Sequence, residues 1–219
     1  MTTGTILFDS ARFITSVAEP AQLNGADLAM LPEIAFVGRS NAGKSSVINT
    51  LTRQKQLAYA SKTPGRTQML NFFEISAREG EGEHRPCGYL VDLPGYGFAR
   101  VDEATREGWD ALVGGFLQTR RMLAGVVLVM DARRPLTATD EALIEWLRSR
   151  EQPEQLRVHL LLNKADQLKT VARRNAVGLA EACADLLPMP TSVQLYSALK
   201  REGVDELAAT LEDIFDARV

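Results

Sequence analysis

The stretch Gly38-Arg39-Ser40-Asn41-Ala42-Gly43-Lys44-Ser45 follows directly on the apolar run Ile34-Ala35-Phe36-Val37. A glycine, four intervening residues and then Gly-Lys-Ser is the spacing of a loop that joins a buried strand to a helix and cradles phosphate. Glycine lets the backbone turn into the left-handed region, and successive N–H groups then line one concave nest. The helix that opens near Lys44 adds the positive end of its dipole, so a polyphosphate meets aligned donors and a favourable field together. In that geometry Lys44 reaches the β- and γ-phosphates, and Ser45 offers its hydroxyl to Mg²⁺. The loop implies a nucleotide without saying which one.

Working outward, composition sets the bounds. A chain of 219 residues is long enough for one sizeable core, and one domain is the default. A hydrophobic share of 45% and a charged share of 24% are ordinary for a soluble globular protein. The formal net charge of −3 gives no global pull toward nucleic acid, so any such contact must come from local basic patches. Cys87 and Cys183 form no metal-ligand spacing and read as buried free thiols in a reducing compartment. The N-terminus lacks the basic and apolar regions of a secretory signal, and the longest apolar run, 124–130, is too short to span a bilayer. A cytoplasmic location with no membrane span is expected.

Residues 1–32 are expected to be an N-terminal extension packed on the domain, with 10–17 open to a short helix or a strand before Pro20. Residues 33–219 are expected to be a single domain. Within it 33–37 reads as a buried strand, and 44–53 as a helix with Val47, Ile48 and Leu51 on one face. The polar loop at 54–66 is long enough to suggest a functional role. Strands at 68–76 and 88–93, joined by a charged connection, suit an antiparallel hairpin. A helix over about 102–121 follows a second glycine-rich loop. Strands at 124–132, 156–162 and 191–196 then alternate with helices at 137–150, 170–187 and 203–217. Thr137 and Asp140 stand at capping-box spacing. This order predicts an α/β fold: a mixed, mostly parallel six-stranded sheet with helices on both faces. The ligand belongs at the C-terminal ends of the strands.

Each loop at those ends carries chemistry. Asp92-Leu93-Pro94-Gly95 offers a carboxylate for the hydration shell of Mg²⁺ and a backbone N–H to sense a γ-phosphate. Asn163-Lys164-Ala165-Asp166 offers a base selector. Guanine presents N1–H and its exocyclic amine side by side, two donors for one carboxylate, whereas adenine lacks that amine and turns a lone pair toward the same place. An unpaired buried polar group costs about 1–3 kcal/mol, which makes Asp166 discriminating. The lysine stem can lie over the base, and Asn163 can tie this loop to the phosphate loop. After Tyr196, the Ala198 N–H of Ser197-Ala198-Leu199 is placed for the guanine O6.

Together these elements resemble the consecutive signature motifs of the translation-factor-like P-loop GTPases over roughly residues 33–200. Within that class, the runs 38–49, 61–68 with Asn71-Phe72-Phe73, and Asp92-Leu93-Pro94-Gly95-Tyr96-Gly97 look like the EngB (YsxC/YihA) family of bacterial ribosome-assembly GTPases. The resemblance implies a three-layer Ras-like P-loop GTPase fold that binds GTP and GDP with Mg²⁺. It also implies a role with the large ribosomal subunit, its precursor and rRNA, and a link to cell division and septation. Nothing in the sequence demands a dimer, and a monomer is expected. The resemblance carries nucleotide contacts onto Gly38, Arg39, Ser40, Asn41, Ala42, Gly43, Lys44, Ser45 and Ser46. It carries others onto Gly65, Arg66, Thr67, Gln68 and Met69, onto Asp92, Leu93, Pro94 and Gly95, and onto Asn163, Lys164, Ala165, Asp166, Tyr196, Ser197 and Ala198. Ser45, Thr67 and Asp92 are the implied Mg²⁺ residues. Thr63 is the local rival of Thr67, which is preferred because the family motif places the ligand immediately before Gln68. Ala42 and Arg66 stand where close relatives often carry Val and Lys, and Ser197-Ala198-Leu199 fits the family pattern loosely.

Lys44, Thr67, Gly95 and Asn41 are the residues expected to serve catalysis. In many GTPases a glutamine just after Asp-x-x-Gly orients the attacking water. Tyr96 holds that position here and is too bulky and differently shaped for the task, so slow intrinsic turnover is expected. Two supplements stay open. One is K⁺, because Asn41 matches the asparagine that helps place K⁺ beside the phosphates in potassium-activated relatives, although asparagine also suits the loop's backbone geometry by itself. The other is activation by the ribosomal particle. Lys62, Arg66 and Arg100 are candidates for rRNA phosphate contacts, whereas Arg120-Arg121 reads as the solvated end of a helix. His84 and His159 read as surface and structural residues. The rival functions are a GTPase of tRNA modification or metal uptake, and a GTP-dependent binding or septation module with negligible turnover.

Overall fold

The computed structural model describes residues 4–19, 22, 28–59, 69–80, 82–96, 108 and 110–217. Strand β1 (Thr5–Val17) precedes β2 (Glu33–Gly38), and helix α1 (Lys44–Leu51) follows the loop after β2. Strands β3 (Leu70–Glu79) and β4 (Glu83–Asp92) form the hairpin, and a π-helical turn at Asp110–Gly114 runs into the short helix α2 (Gly115–Thr119). The chain then alternates through β5 (Leu123–Asp131), α3 (Ala138–Arg148), β6 (Arg157–Asn163), α4 (Thr170–Ala184), β7 (Thr191–Leu195) and α5 (Val204–Asp216).

The strands lie in one sheet in the order β1-β3-β4-β2-β5-β6-β7. Strand β2 pairs in parallel with β4 and β5, and the parallel run continues through β6 to β7. Every residue of β2 is buried, and its alternate side chains feed two cores. Ala35 and Val37 face a cluster with Phe116, Leu117, Leu143 and Leu147 of α2 and α3, and with Ala176 and Ala180 of α4. Ile34 and Phe36 face a second cluster with Val47, Ile48 and Leu51 of α1 and with Leu207, Leu211, Ile214 and Phe215 of α5. A central strand buried on both sides needs apolar residues at successive positions, which explains the unbroken apolar run of its sequence.

Among the described residues the sheet has seven strands rather than the expected six, because β1 joins it as an edge strand antiparallel to β3. Irregularities between Leu7 and Arg12 and between Phe13 and Thr15 interrupt the register. They shift the parity of the buried residues from Ile6 and Phe8 to Ala11 and Val17, and a bulged strand of this kind lacks the clean period of two that identifies a strand. The hairpin is also longer than expected. Its charged segment is paired strand, with Arg78 opposite His84 and Glu79 opposite Glu83. The ladder's exposed tip tolerates polar side chains, and the turn is made by Gly80 and Gly82 at φ 60° and 121°.

Arg120 departs from the solvated role expected of it. Its Nη2 lies 2.6 Å from Glu33 Oε1, and its Nε donates at 3.0 Å to the same carboxylate. Glu33 heads a fully buried strand and has no exposed surface. Burial raises the Glu33 pKa and the Arg120 guanidinium opposes that rise. An unpaired charge in this position would be strongly destabilising, so the arginine turns inward. Arg121 remains exposed.

Candidate functional site

The site starts where β2 meets β5. A Cβ at Gly38 would stand 2.4 Å from the Val129 carbonyl oxygen, so the strand can end in that register only with a glycine. The chain then enters the left-handed region at Asn41 (φ 69°) and again at Gly43 (φ 96°) before α1 begins at Lys44. A Cβ on Gly43 would lie 2.3 Å from Asn163 Nδ2. The result is a compact cradle at a helix N-terminus, with Arg39, Ser40 and Ser45 half-buried, Ala42 packed inside, and Asn41 and Ser46 exposed. Backbone N–H groups in such a turn are suited to a polyphosphate.

The end of β4 is laced onto this cradle. Asp92 is buried, and its carboxylate pairs with the Lys44 ammonium. Leu93 N–H donates to Phe36 O at 3.0 Å, Tyr96 N–H to Gly38 O at 3.4 Å, and Ser40 N–H to Tyr96 O at 2.8 Å. Leu93 is sunk in the core and Pro94 is half-buried; the packing of these two residues sets the position of Asp92 and Gly95. Gly95 packs on the loop, where a Cβ would lie 3.3 Å from the Ser40 nitrogen. The Tyr96 ring turns away into the core at 6% exposure, and its hydroxyl donates to Asp140 Oδ1 at 2.6 Å. The other carboxylate oxygen of Asp140 accepts from the Thr137 N–H at 2.8 Å and the Thr137 hydroxyl at 2.7 Å, closing the capping box that opens α3. Burial raises the Tyr96 pKa, and the Asp140 charge raises it further. Burial and the bond to Asp140 together hold the phenol as a hydrogen-bond donor.

Two further loops close over the cradle. Asn163 ends β6; its Nδ2 donates to Ala42 O at 2.8 Å and its Oδ1 accepts from the Ala198 N–H at 3.3 Å. Lys164 sits at φ 65° and reaches the Asn41 carbonyl at 2.5 Å and Asp131 Oδ2 at 3.0 Å. Burial works against the Asp131 charge, but hydrogen bonds from Arg133 and Lys164 outweigh it and hold this carboxyl well below its usual range. Asp166 lies on a single 3₁₀ turn, Ala165–Gln167, and its Oδ1 accepts the Ser197 hydroxyl. Tyr196 is fully buried, donates its N–H to Leu162 O at 2.9 Å, and accepts the Ala165 N–H at 3.0 Å.

The structure thus brings together 38–46, 92–95, 163–166 and 196–198 at one end of the sheet. Gly65, Arg66, Thr67 and Gln68 lie outside the described residues, as do Lys62, Thr63 and Arg100. Met69 is described, stands just before β3, and is partly exposed. Among the described residues no group of three or more His, Cys, Asp or Glu side chains gathers as a metal site. Mg²⁺ keeps much of its water and is held by one or two carboxylates with substrate phosphates. The Asp92 carboxylate beside the left-handed nest, with Ser45 one residue past Lys44, fits such an ion. His159 is remote from this chemistry. It is buried between Ser192 Oγ at 2.8 Å and Gln194 Oε1 at 3.1 Å, and burial lowers its pKa to about 4. Both cysteines are free, and burial pushes the Cys87 thiol up to about 11.

Asp131 and Glu202 are site-shaping residues that motif reading passes over, and Asp140, legible in sequence as a cap, has a second contact with Tyr96. A carboxylate at the C-terminal end of a strand in an α/β sheet was a usable signal for Asp131. For Glu202, and for the contact of Asp140 with Tyr96, the signal exists only in space.

The loop 38–46, the strand-end carboxylate of Asp92 and the loop 163–166 leave one sheet in the order that defines the P-loop GTPases. Comparison with known proteins agrees: a family model described as 50S ribosome-binding GTPase matches residues 33–164. A probable GTP-binding protein EngB of Thiobacillus denitrificans is 46% identical over 207 residues, covering 94% of this chain and 91% of that protein. One of the same name from Neisseria meningitidis serogroup C is 46% identical over 217 residues, covering 96% and 94%. The chain belongs to the EngB family of GTP-binding proteins. Among solved structures, a probable GTP-binding protein engB shares 22% identity at a TM-score of 0.58, covering 84% of this chain and 98% of that one. A GTP-binding protein of Sulfolobus solfataricus, solved in complex with GDP, shares 19% at a TM-score of 0.59; the match covers 91% of this chain but 56% of that one. At such identities the likeness speaks for the fold alone. No helix among the described residues is long and apolar enough to cross a membrane.

Proposed function

We propose that this chain is a GTP-hydrolysing switch that assists assembly of the large ribosomal subunit. The observation that carries the nucleotide reading is the position of Asn163. Its two amide atoms join the phosphate cradle at Ala42 to the loop at Ala198, beside an Asp166 already held by Ser197. Cradle and base selector are thereby fixed as one unit, the arrangement that reading guanine and phosphate together requires. On this reading the cradle N–H groups of 38–46 hold the phosphates, and Lys44 turns its ammonium from Asp92 to the β- and γ-oxygens. Ser45 and Asp92, with Thr67 from the first switch loop, would hold Mg²⁺, which supplies charge neutralisation at those oxygens. Gly95 and Thr67 sense the γ-phosphate, and its loss releases both switch loops.

Intrinsic turnover is slow on this reading, because the Tyr96 side chain is buried against Asp140 and does not orient water. Asn41 remains the residue through which K⁺ would act. Its left-handed backbone supports the purely geometric role as well. A turnover of GTP that is equal in K⁺ and Na⁺ would remove the cation from this account.

The ribosomal part rests on the description of the matching family and on the sequence resemblance. Lys62, Arg66 and Arg100 are the proposed rRNA contacts, with binding that weakens steeply as salt rises. The protein would act in the cytoplasm as a monomer, and its loss would disturb cell division and septation through the ribosome defect. The test is co-sedimentation of the full chain with purified large-subunit precursors in a non-hydrolysable GTP analogue, in GDP and without nucleotide. Comigration in the GTP form is expected. Comigration that ignores nucleotide, or none at all, would refute the switch.

A further inference from the structure

We propose that Arg173 and Glu202 form a clamp that determines base specificity by fixing Asp166 in the plane of its ligand; this rests on the guanine reading above. Neither residue belongs to a signature motif, and both are positioning residues. The Arg173 Nε donates to the Ala165 carbonyl at 3.0 Å and to the Leu168 carbonyl at 3.4 Å. It therefore caps the single turn that carries Asp166, whose Ala165 carbonyl also accepts the Leu168 N–H at 3.0 Å. The other two nitrogens of the same guanidinium grip Glu202, Nη1 to Oε1 at 2.6 Å and Nη2 to Oε2 at 3.1 Å. Glu202 is bonded in both directions to Ser197, N–H to carbonyl at 3.1 Å each way. Ser197 in turn gives its hydroxyl to Asp166.

These contacts close a ring from Asp166 through Ser197, Glu202, Arg173 and Ala165 back to Asp166. A half-exposed ion pair by itself is worth little. This pair is bidentate, which fixes orientation as well as distance, and its third arm holds the backbone next to the selecting carboxylate. The chemical consequence follows from the ligand. Guanine offers the carboxylate two adjacent donors, N1–H and the exocyclic amine, and both bonds form only if the carboxylate lies in the base plane. Hypoxanthine, the base of inosine nucleotides, keeps N1–H and lacks the amine. A carboxylate free to swing makes one good bond with either base. The clamp therefore acts on the ratio of the two affinities, beyond any effect on binding strength.

The experiment measures Kd for GDP and IDP by displacement of a fluorescent nucleotide from the full chain, in the wild type and in Arg173→Met, Arg173→Lys, Glu202→Ala and the Arg173→Met/Glu202→Ala double variant. The wild type is expected to prefer GDP by tens of fold, roughly the value of a hydrogen bond to a charged acceptor. Each single variant is expected to lower that preference about three- to five-fold, the range of a partly exposed pair. The double variant should fall no further. Arg173→Lys keeps the charge but loses the fork, so it should behave like Arg173→Met; Glu202→Ala, at a partly exposed side chain, keeps the test open if the arginine variants fail to fold. Variants that bind GDP and IDP more weakly by the same factor would reduce the pair to structural support and overturn the clamp. A wild type that binds GDP and IDP equally would instead overturn the guanine reading on which it rests.

Discussion

Replacing Tyr96 with phenylalanine keeps the ring in the core and removes only the hydroxyl that donates to Asp140 at 2.6 Å. Both residues are buried and the acceptor is charged, so the bond belongs in the range of about 1.5–3 kcal/mol for charged acceptors. Asp140 retains its two bonds from Thr137, which places the loss toward the lower part of that range, about 2 kcal/mol. Urea unfolding should show it as a lower midpoint with an unchanged slope, since the surface exposed on unfolding is the same. For a chain of this size the melting temperature should fall by about 4–8 °C. Asp140→Ala should cost more, about 3 kcal/mol, because it also removes the capping box of α3. In a double-mutant cycle the two changes should couple by about 1 kcal/mol or more, as expected of contacting residues. A Tyr96→Phe loss below about 0.5 kcal/mol, or additive effects within error, would show that the hydroxyl does not anchor the loop after Gly95 to α3.

Two further outcomes follow from the same geometry. Gly43→Ala forces a side chain into the left-handed region, at about 1–2 kcal/mol, and drives a methyl group onto Asn163 Nδ2; fluorescent GDP should bind at least about ten-fold more weakly while the circular dichroism stays native, and unchanged binding would contradict the cradle. His159 stays neutral in the folded protein down to about pH 4 but takes up its proton near pH 6.5 once unfolded. The unfolded state thus binds more protons between those values, so stability is full above pH 6.5 and falls as pH drops toward 4, by about 3 kcal/mol. Urea midpoints of the wild type should decline over that window relative to His159→Gln, and parallel profiles would refute the assignment.

Much of the architecture was legible because its elements carry strong local signals. The apolar run before Gly38, the apolar face of α1 at Val47, Ile48 and Leu51, and the capping pair Thr137 and Asp140 each state their structure within a few residues. What stayed hidden depends on partners far away in the chain. Strand β1 has bulges that break its alternation, and only β3, more than fifty residues later, defines it as a strand. Arg120 carries no mark that it will meet Glu33 across 87 positions. The phosphate loop and Asp166 could be singled out in the sequence because their chemistry is local to a short motif. Asp140 was recognised as a cap, yet its second task, receiving Tyr96, emerges only when helix and loop pack together.

The edge strand has a mechanical consequence. β3 opens the hairpin, and it is zipped along both of its margins, to β1 on one side and to β4 on the other. A slip by one residue would turn Phe72 and Phe73, which serve opposite cores, inside out; a slip by two would have to unzip both ladders at once. The hairpin is therefore a fixed rail. A movement that keeps both ladders paired carries β3 and β4 as one body from Leu70 to Asp92.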